Sequence, residues 1–188
     1  LHRLIVTSNA YRMASSDGDS ANPNLKIDSD NRFLWRMNSR RMESEAVRDS
    51  VLQVSGQLDV TLGGPELAES LGQDSHRRSM YFRSTPNEKM LFLELFDQAN
   101  PNECYRRQES VVPQQSLALV NSPLALNQSR LLAQKLSAEI GPEDSPAKTR
   151  AFIQAAYEQI LSRTPTPDEI SACDRFLTRH TALLRAGQ

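Results

Sequence analysis

Three stretches decide the fold: SPLALNQSRLLAQKLSAEI at 122–140, SPAKTRAFIQAAYEQIL at 145–161 and TPDEISACDRFLTRHTALL at 166–184. Each begins with a hydroxyl residue followed by proline. The hydroxyl caps a helix start, and proline fits the first turn, where its missing N–H costs nothing. In the first stretch Leu124, Leu131, Leu132, Leu136 and Ile140 fall on one face, and Gly141-Pro142 ends it. In the second, Phe152, Ile153, Ala156, Tyr157, Ile160 and Leu161 form the stripe. In the third, Ile170, Cys173, Leu177, His180 and Leu184 alternate at three- and four-residue steps, the spacing of a helix–helix seam. The short connections predict a C-terminal unit of three antiparallel helices over 122–187.

Upstream, Val47, Val51, Val54 and Leu58 predict an amphipathic helix over 40–56. Thr85-Pro86-Asn87-Glu88 predicts a helix running to about Asp97, buried on most sides. Residues 113–120 predict a short helix. Helical spacing also covers Leu1 to about Met13, and Asp30 or Asn31 is placed to cap a short helix through Phe33, Leu34, Trp35 and Met37. Between 14 and 29 the chain is Ser, Asp, Asn, Gly and Pro, the composition of a flexible loop. Residues 58–84 read differently. Leu58, Val60 and Leu62 alternate with polar residues, Gly63-Gly64-Pro65 breaks the run, and Met80, Tyr81 and Phe82 resume it. This predicts a β-hairpin with a polar insert. The fold class expected is mainly α, a helical bundle-like domain with a small β-hairpin excursion. The 188 residues are expected to form a single domain, a fragment of a larger chain, because Leu1 already stands in a helical pattern.

Charge narrows the function classes. Twenty-two basic residues against 23 acidic leave a net charge of −1, without the basic excess that nucleic-acid binding draws on, so no nucleic-acid partner is expected. No apolar run approaches the ~18–20 residues of a membrane span. Two cysteines, Cys104 and Cys173, make neither a disulfide framework nor a four-ligand metal site. Cys-x-x-Cys-His, a phosphate-binding glycine loop, His-Glu-x-x-His and Gly-x-Ser-x-Gly are all absent. No metal and no cofactor are therefore expected in this domain. His180 reads as a core or edge residue of its helix.

The densest polar chemistry lies between two apolar helical runs: Asp97, Asn100, Asn102, Glu103, Arg106, Arg107, Gln114, Gln115 and Asn121. Structurally, these residues pair with one another and cap helix ends, since buried polar groups need partners. Functionally, guanidinium and amide groups line a pocket for a carbohydrate or an anionic small ligand. A second cluster, Arg40, Arg41, Glu43, Glu45, Arg48 and Asp49, reads as a salt-bridged, solvated helix face. A catalytic carboxylate there would need a displaced pKa. The candidate cluster takes Arg40, Arg41 and Glu43 from this second group.

Several segments in order carry a family resemblance. They are His2–Ser8 with Tyr11-Arg12, Asp30-Asn31-Arg32, and the run from Arg40 to Asp49. Gly63-Gly64-Pro65, Arg77–Tyr81, and Phe96-Asp97 with Asn100–Cys104 follow. Val112–Leu117 with Asn121-Ser122-Pro123, and Arg163 with Thr166-Pro167, complete the set. Together they resemble the C-terminal planctomycete-specific domain of unknown function found in large exported proteins. The resemblance implies an extracytoplasmic location and partners in the upstream domains of the same chain. Among these would be a cytochrome-c-like domain that holds any haem. It implies no catalytic residue. Two functions are expected from these readings: a scaffold or ligand-binding module, or a catalytic or electron-transfer partner of the haem-bearing module, with carbohydrate as the candidate substrate.

Overall fold

The computed structural model describes residues 1–16, 22–103, 107, 109–141 and 145–186. The chain divides into two units, Leu1–Met42 and Glu43–Gln188.

The first unit carries α1 (His2–Thr7) and α2 (Pro23–Ile27). The helix expected to Met13 stops early because Ser8 is extended, with ψ 149. α2 lies in the stretch expected to be a loop; Asn22 caps it by accepting from the Asn24 N–H at 3.0 Å. No helix forms over 31–37. Asn31 and Leu34 both take left-handed backbone, φ 56 and 54, and the chain folds instead around two polar side chains. The Asp28 carboxylate accepts from the N–H groups of Arg32 and Phe33, both at 2.8 Å. Asn31 donates to the Arg36 carbonyl at 2.7 Å and to Asn38 Oδ1 at 2.8 Å. The Trp35 indole donates to the Asp28 carbonyl. The Met37 N–H and the Ser39 hydroxyl tie this turn to the carbonyls of Ala14 and Ser15.

The second unit holds α3 (Ser44–Val54), α4 (Leu91–Leu95), α5 (Pro113–Asn121), α6 (Pro123–Ile140), α7 (Pro146–Leu161) and α8 (Pro167–Ala186). α3 packs on α4 and α6, α4 on α5, and α5 through α8 each pack on the next helix. The core is Leu52, Phe82, Met90, Phe92, Leu93 and Leu124, flanked by Val47, Val51, Leu58, Leu67, Phe96 and Ala118. Each fully buried side chain of this size contributes roughly 1.5–3 kcal/mol of hydrophobic stabilisation.

Residues 58–84 do not form the expected hairpin. Among the described residues there is no strand, only two lone bridges, Asp59 with Arg77 and Leu67 with Phe82, and both are parallel. A two-residue turn cannot join parallel partners. Two short 3-10 turns, Glu69–Gln73 and Ser79–Tyr81, occupy the insert. The reason is Arg48. Its guanidinium reaches out of α3 and donates to the carbonyls of Gly72 (3.1 Å), Arg77 (2.9 Å) and Ser75. Converging on one guanidinium, these carbonyls hold the 72–77 backbone in a turn in place of a straight strand. The same guanidinium lies 4.8 Å from the centre of the Phe82 ring.

The helix expected from Thr85 begins only at Leu91. Thr85 Oγ1 accepts from the Glu88 N–H at 3.0 Å, and the Thr85 N–H donates back to the Glu88 carbonyl. That closes a turn, not a first helical turn. Extended backbone then carries Met90 into the core against Gly72, where an added Cβ would collide with the Met90 side chain.

The C-terminal starts follow their sequence logic. Ser122, Ser145 and Thr166 accept from the N–H groups of Ala125, Lys148 and Glu169. Glu169 returns the bond to the Thr166 N–H at 2.8 Å and takes both guanidinium nitrogens of Arg163. Those contacts, the Arg163 bond foremost, hold its carboxyl down to about 2. Burial fades along this unit: α6 buries five residues, α7 one and α8 none. The seam on α8 is only half covered. Of the core and edge positions expected for His180, the core one is not taken: it is exposed, with its ring centre 4.1 Å from that of Phe176 in a tilted arrangement.

Candidate functional site

A concave polar region of the second unit runs along α3 from its N-terminal end. Two cavities of about 490 and 440 Å³ open there and share Glu43, Glu45 and Met80. The first adds Asp49, Ser50, Gln53 and Arg78 over an apolar floor of Ala46, Leu58 and Val60. The second adds Gln98, Asn100 and Arg107, with Phe82 and Pro101.

Local structure explains why acids gather here. Glu43 is the N-cap of α3 and Glu45 stands in its first turn, where the unpaired N–H groups of a helix start favour negative charge. Arg107, from the segment after α4, donates to both Glu45 oxygens, at 2.7 and 3.3 Å, and lies 3.8 Å from Glu43. Burial alone would raise the Glu45 carboxyl, but the Arg107 bonds, its own N–H and the Ser44 hydroxyl hold it below the usual carboxylate range. Glu45 is thus a charged acceptor at neutral pH. In return, the Glu45 bond raises Arg107 against the opposing effect of burial.

Asp49 is occupied with structure. Its Oδ1 accepts from the Ser79 N–H (2.8 Å) and hydroxyl (2.6 Å), and Arg78 approaches the other oxygen at 3.6 Å. Arg48, expected on a solvated face, is completely buried. Burial pushes its guanidinium down to about 10 against the opposing pull of Asp49, so it remains a cation at neutral pH. Glu43 is the group with least structural duty, its side chain 64% exposed.

The predicted cluster divides. Glu43, Asn100 and Arg107 line the second cavity. Asp97 lines neither of these two cavities. It takes left-handed backbone, φ 62, and its carboxylate accepts from the Ser110 N–H and hydroxyl, both at 2.8 Å. Gln115 is buried and donates to the Leu95 carbonyl at 3.0 Å. These two side chains fasten the 97–110 segment to α4 and α5. Asn100 accepts from the Asn102 N–H within its own turn. Asn102, Glu103, Gln114 and Asn121 are exposed. Arg40 and Arg41 belong to the first unit and are exposed there. Arg106 and Cys104 lie outside the described residues. Sequence reasoning missed Arg78, Met80 and Gln98. Met80 was absorbed into the expected hairpin, and Gln98 stands alone between apolar and polar runs, with no periodic signal. Among the described residues no group of three or more His, Cys, Asp or Glu could hold a metal ion, and no helix is long and apolar enough to cross a membrane.

Residues 1–177 match the family described as PSD1, protein of unknown function (DUF1553). The chain belongs to that family. No curated protein and no solved structure matches it.

Proposed function

We propose that the domain is a non-catalytic ligand-binding module of an exported multidomain protein, and that the α3 cleft is its site. The observation that carries this reading is the pair of adjoining cavities around Glu43 and Glu45. Polar acceptors at the rim over an apolar floor suit a carbohydrate, whose hydroxyls donate while its ring faces pack on apolar atoms. The arginines, Arg78 and Arg107, already face carboxylates, which weighs against a free anion as the ligand. Glu45, held charged by Arg107, offers no proton at neutral pH, which favours binding over general acid chemistry. The planctomycete origin, the extracytoplasmic location and an upstream cytochrome-c-like partner belong to the same proposal and rest on the sequence resemblance. The second reading, a catalytic or electron-transfer partner of that haem module, would use the same cleft.

Titration calorimetry of the chain against neutral and amine-bearing oligosaccharides tests the reading. Binding is expected, and Glu43→Gln should weaken it about tenfold while the melting temperature holds, as expected for an exposed side chain. Binding indifferent to Glu43→Gln removes the cleft as the site. Turnover of any bound saccharide would move the assignment to the catalytic reading.

A further inference from the structure

Independent of the cleft, the first unit carries a second feature. Its buried side chains are polar, Asp28 and Asn31, and they fix the turn at 28–38 from within. Within the turn Phe33 is 81% exposed and Leu34 64% exposed. Leu34 is held at φ 54, a conformation that a branched side chain adopts only when its surroundings impose it. Arg32 and Arg36 flank the pair in sequence, and the Arg36 guanidinium lies 5.4 Å from the Trp35 ring centre. The unit holds seven lysines and arginines against four aspartates, a net charge of +3 in a chain whose net charge is −1. One of those aspartates, Asp28, is turned inward on the Arg32 and Phe33 N–H groups.

We propose that this turn is a membrane-insertion loop that seats Phe33 and Leu34 in an anionic lipid surface. Two adjacent apolar side chains that protrude need a soft apolar medium of no fixed shape. A protein partner would have to supply a matching pocket. The exposed Arg32 meets anionic headgroups, and the neighbouring half-buried Trp35 is of the residue type favoured at a membrane interface. Each basic residue near an anionic surface is worth about fivefold in partitioning, and a buried phenylalanine roughly tenfold to a hundredfold. The combination suits reversible, charge-dependent association without a spanning helix.

Trp35 is the chain's single tryptophan, so its emission reports on the loop directly. The 188-residue chain is mixed with vesicles of phosphatidylcholine alone, and of phosphatidylcholine with roughly one-third phosphatidylglycerol. Cosedimentation and a blue shift are expected with the anionic vesicles only. Leu34→Gly should lower affinity about tenfold without lowering the melting temperature, because glycine adopts positive φ freely. Phe33→Ser should do the same, Arg32→Gln should cost about fivefold, and the Phe33→Ser and Leu34→Gly changes together should abolish association. No cosedimentation with anionic vesicles overturns the proposal, as does equal binding to neutral ones or a double variant that binds like the parent. If vesicles leave the emission unmoved and only a protein shifts it, the loop is a protein-docking face.

Discussion

The second unit has a buried apolar core, and the first, among the described residues, has none. In Glu43–Gln188 the core is Leu52, Phe82, Met90, Phe92, Leu93 and Leu124, joined among the described residues by buried polar groups such as Ser44 and Gln128 and by one fully buried charge, Arg48. Among the described residues of Leu1–Met42 the buried ones are Asp28 and Asn31, while Leu1, Leu4, Ile27, Phe33 and Leu34 are exposed. Apolar burial is non-directional and scales with area, so the second unit tolerates imperfect geometry. A turn built on hydrogen bonds is directional, and each bond must close. One unit is therefore a folding core, and the other is a shaped surface held by a few specific contacts.

Removing the one charge from the apolar core should have the largest effect. Arg48→Leu leaves the Gly72, Ser75 and Arg77 carbonyls without their donor. Stability is expected to fall by roughly 3–5 kcal/mol, a drop in melting temperature of about 6–20 °C at this chain length. Calorimetry checks it. A change near zero would mean that the 3-10 turns stand by themselves and that Arg48 is not what displaces the hairpin.

A smaller and more local effect is expected from Asn31→Ala in the first unit. It removes the donor to Arg36 and Asn38 and leaves alanine at positive φ, costing about 1–3 kcal/mol in that turn alone. Limited proteolysis should then cut within 28–38 while hydrogen exchange around Leu52 and Phe92 stays slow. If both units loosen together, the two are one cooperative structure and the contrast drawn above fails.

The smallest effect is at the cleft. The folded Glu45 carboxyl lies below its ordinary value of 4.5. Its contribution is therefore complete above that value and lost as pH falls through the depressed folded value. Glu45→Gln should cost no more than about 1 kcal/mol at pH 7, the screened worth of a part-exposed pair. That cost should vanish in acid, below the folded value. A cost that stays constant down to pH 2, followed by thermal unfolding, would assign the loss to packing and not to the ion pair.

How far the sequence carried depends on the kind of signal. The C-terminal starts were legible because Ser122-Pro123, Ser145-Pro146 and Thr166-Pro167 act within four residues. The helix boundaries of α5, α6, α7 and α8 follow from local chemistry. The α8 seam was legible as a pattern but not as a position: the spacing of Cys173, Leu177 and His180 says that one face is apolar, not how much of it is covered. At the cleft, Glu43, Asn100 and Arg107 were foreseen, whereas Asp97 and Gln115, equally polar on paper, turned inward to fasten a loop. The missing information was which backbone groups each would meet.

By itself the sequence determined a mainly helical chain, its C-terminal helix starts and the absence of familiar catalytic motifs, because caps, periodicity and motif spacing are local. Tertiary structure alone decided three things. It sent Arg48 into the core to take carbonyls 24 to 29 residues away. It thereby replaced the expected hairpin with 3-10 turns, and it brought Arg107 to Glu45 across 62 residues. Each is a contact between groups far apart in the chain. Such a contact forms only where packing of the rest brings the partners within hydrogen-bond reach, and no local pattern records that distance.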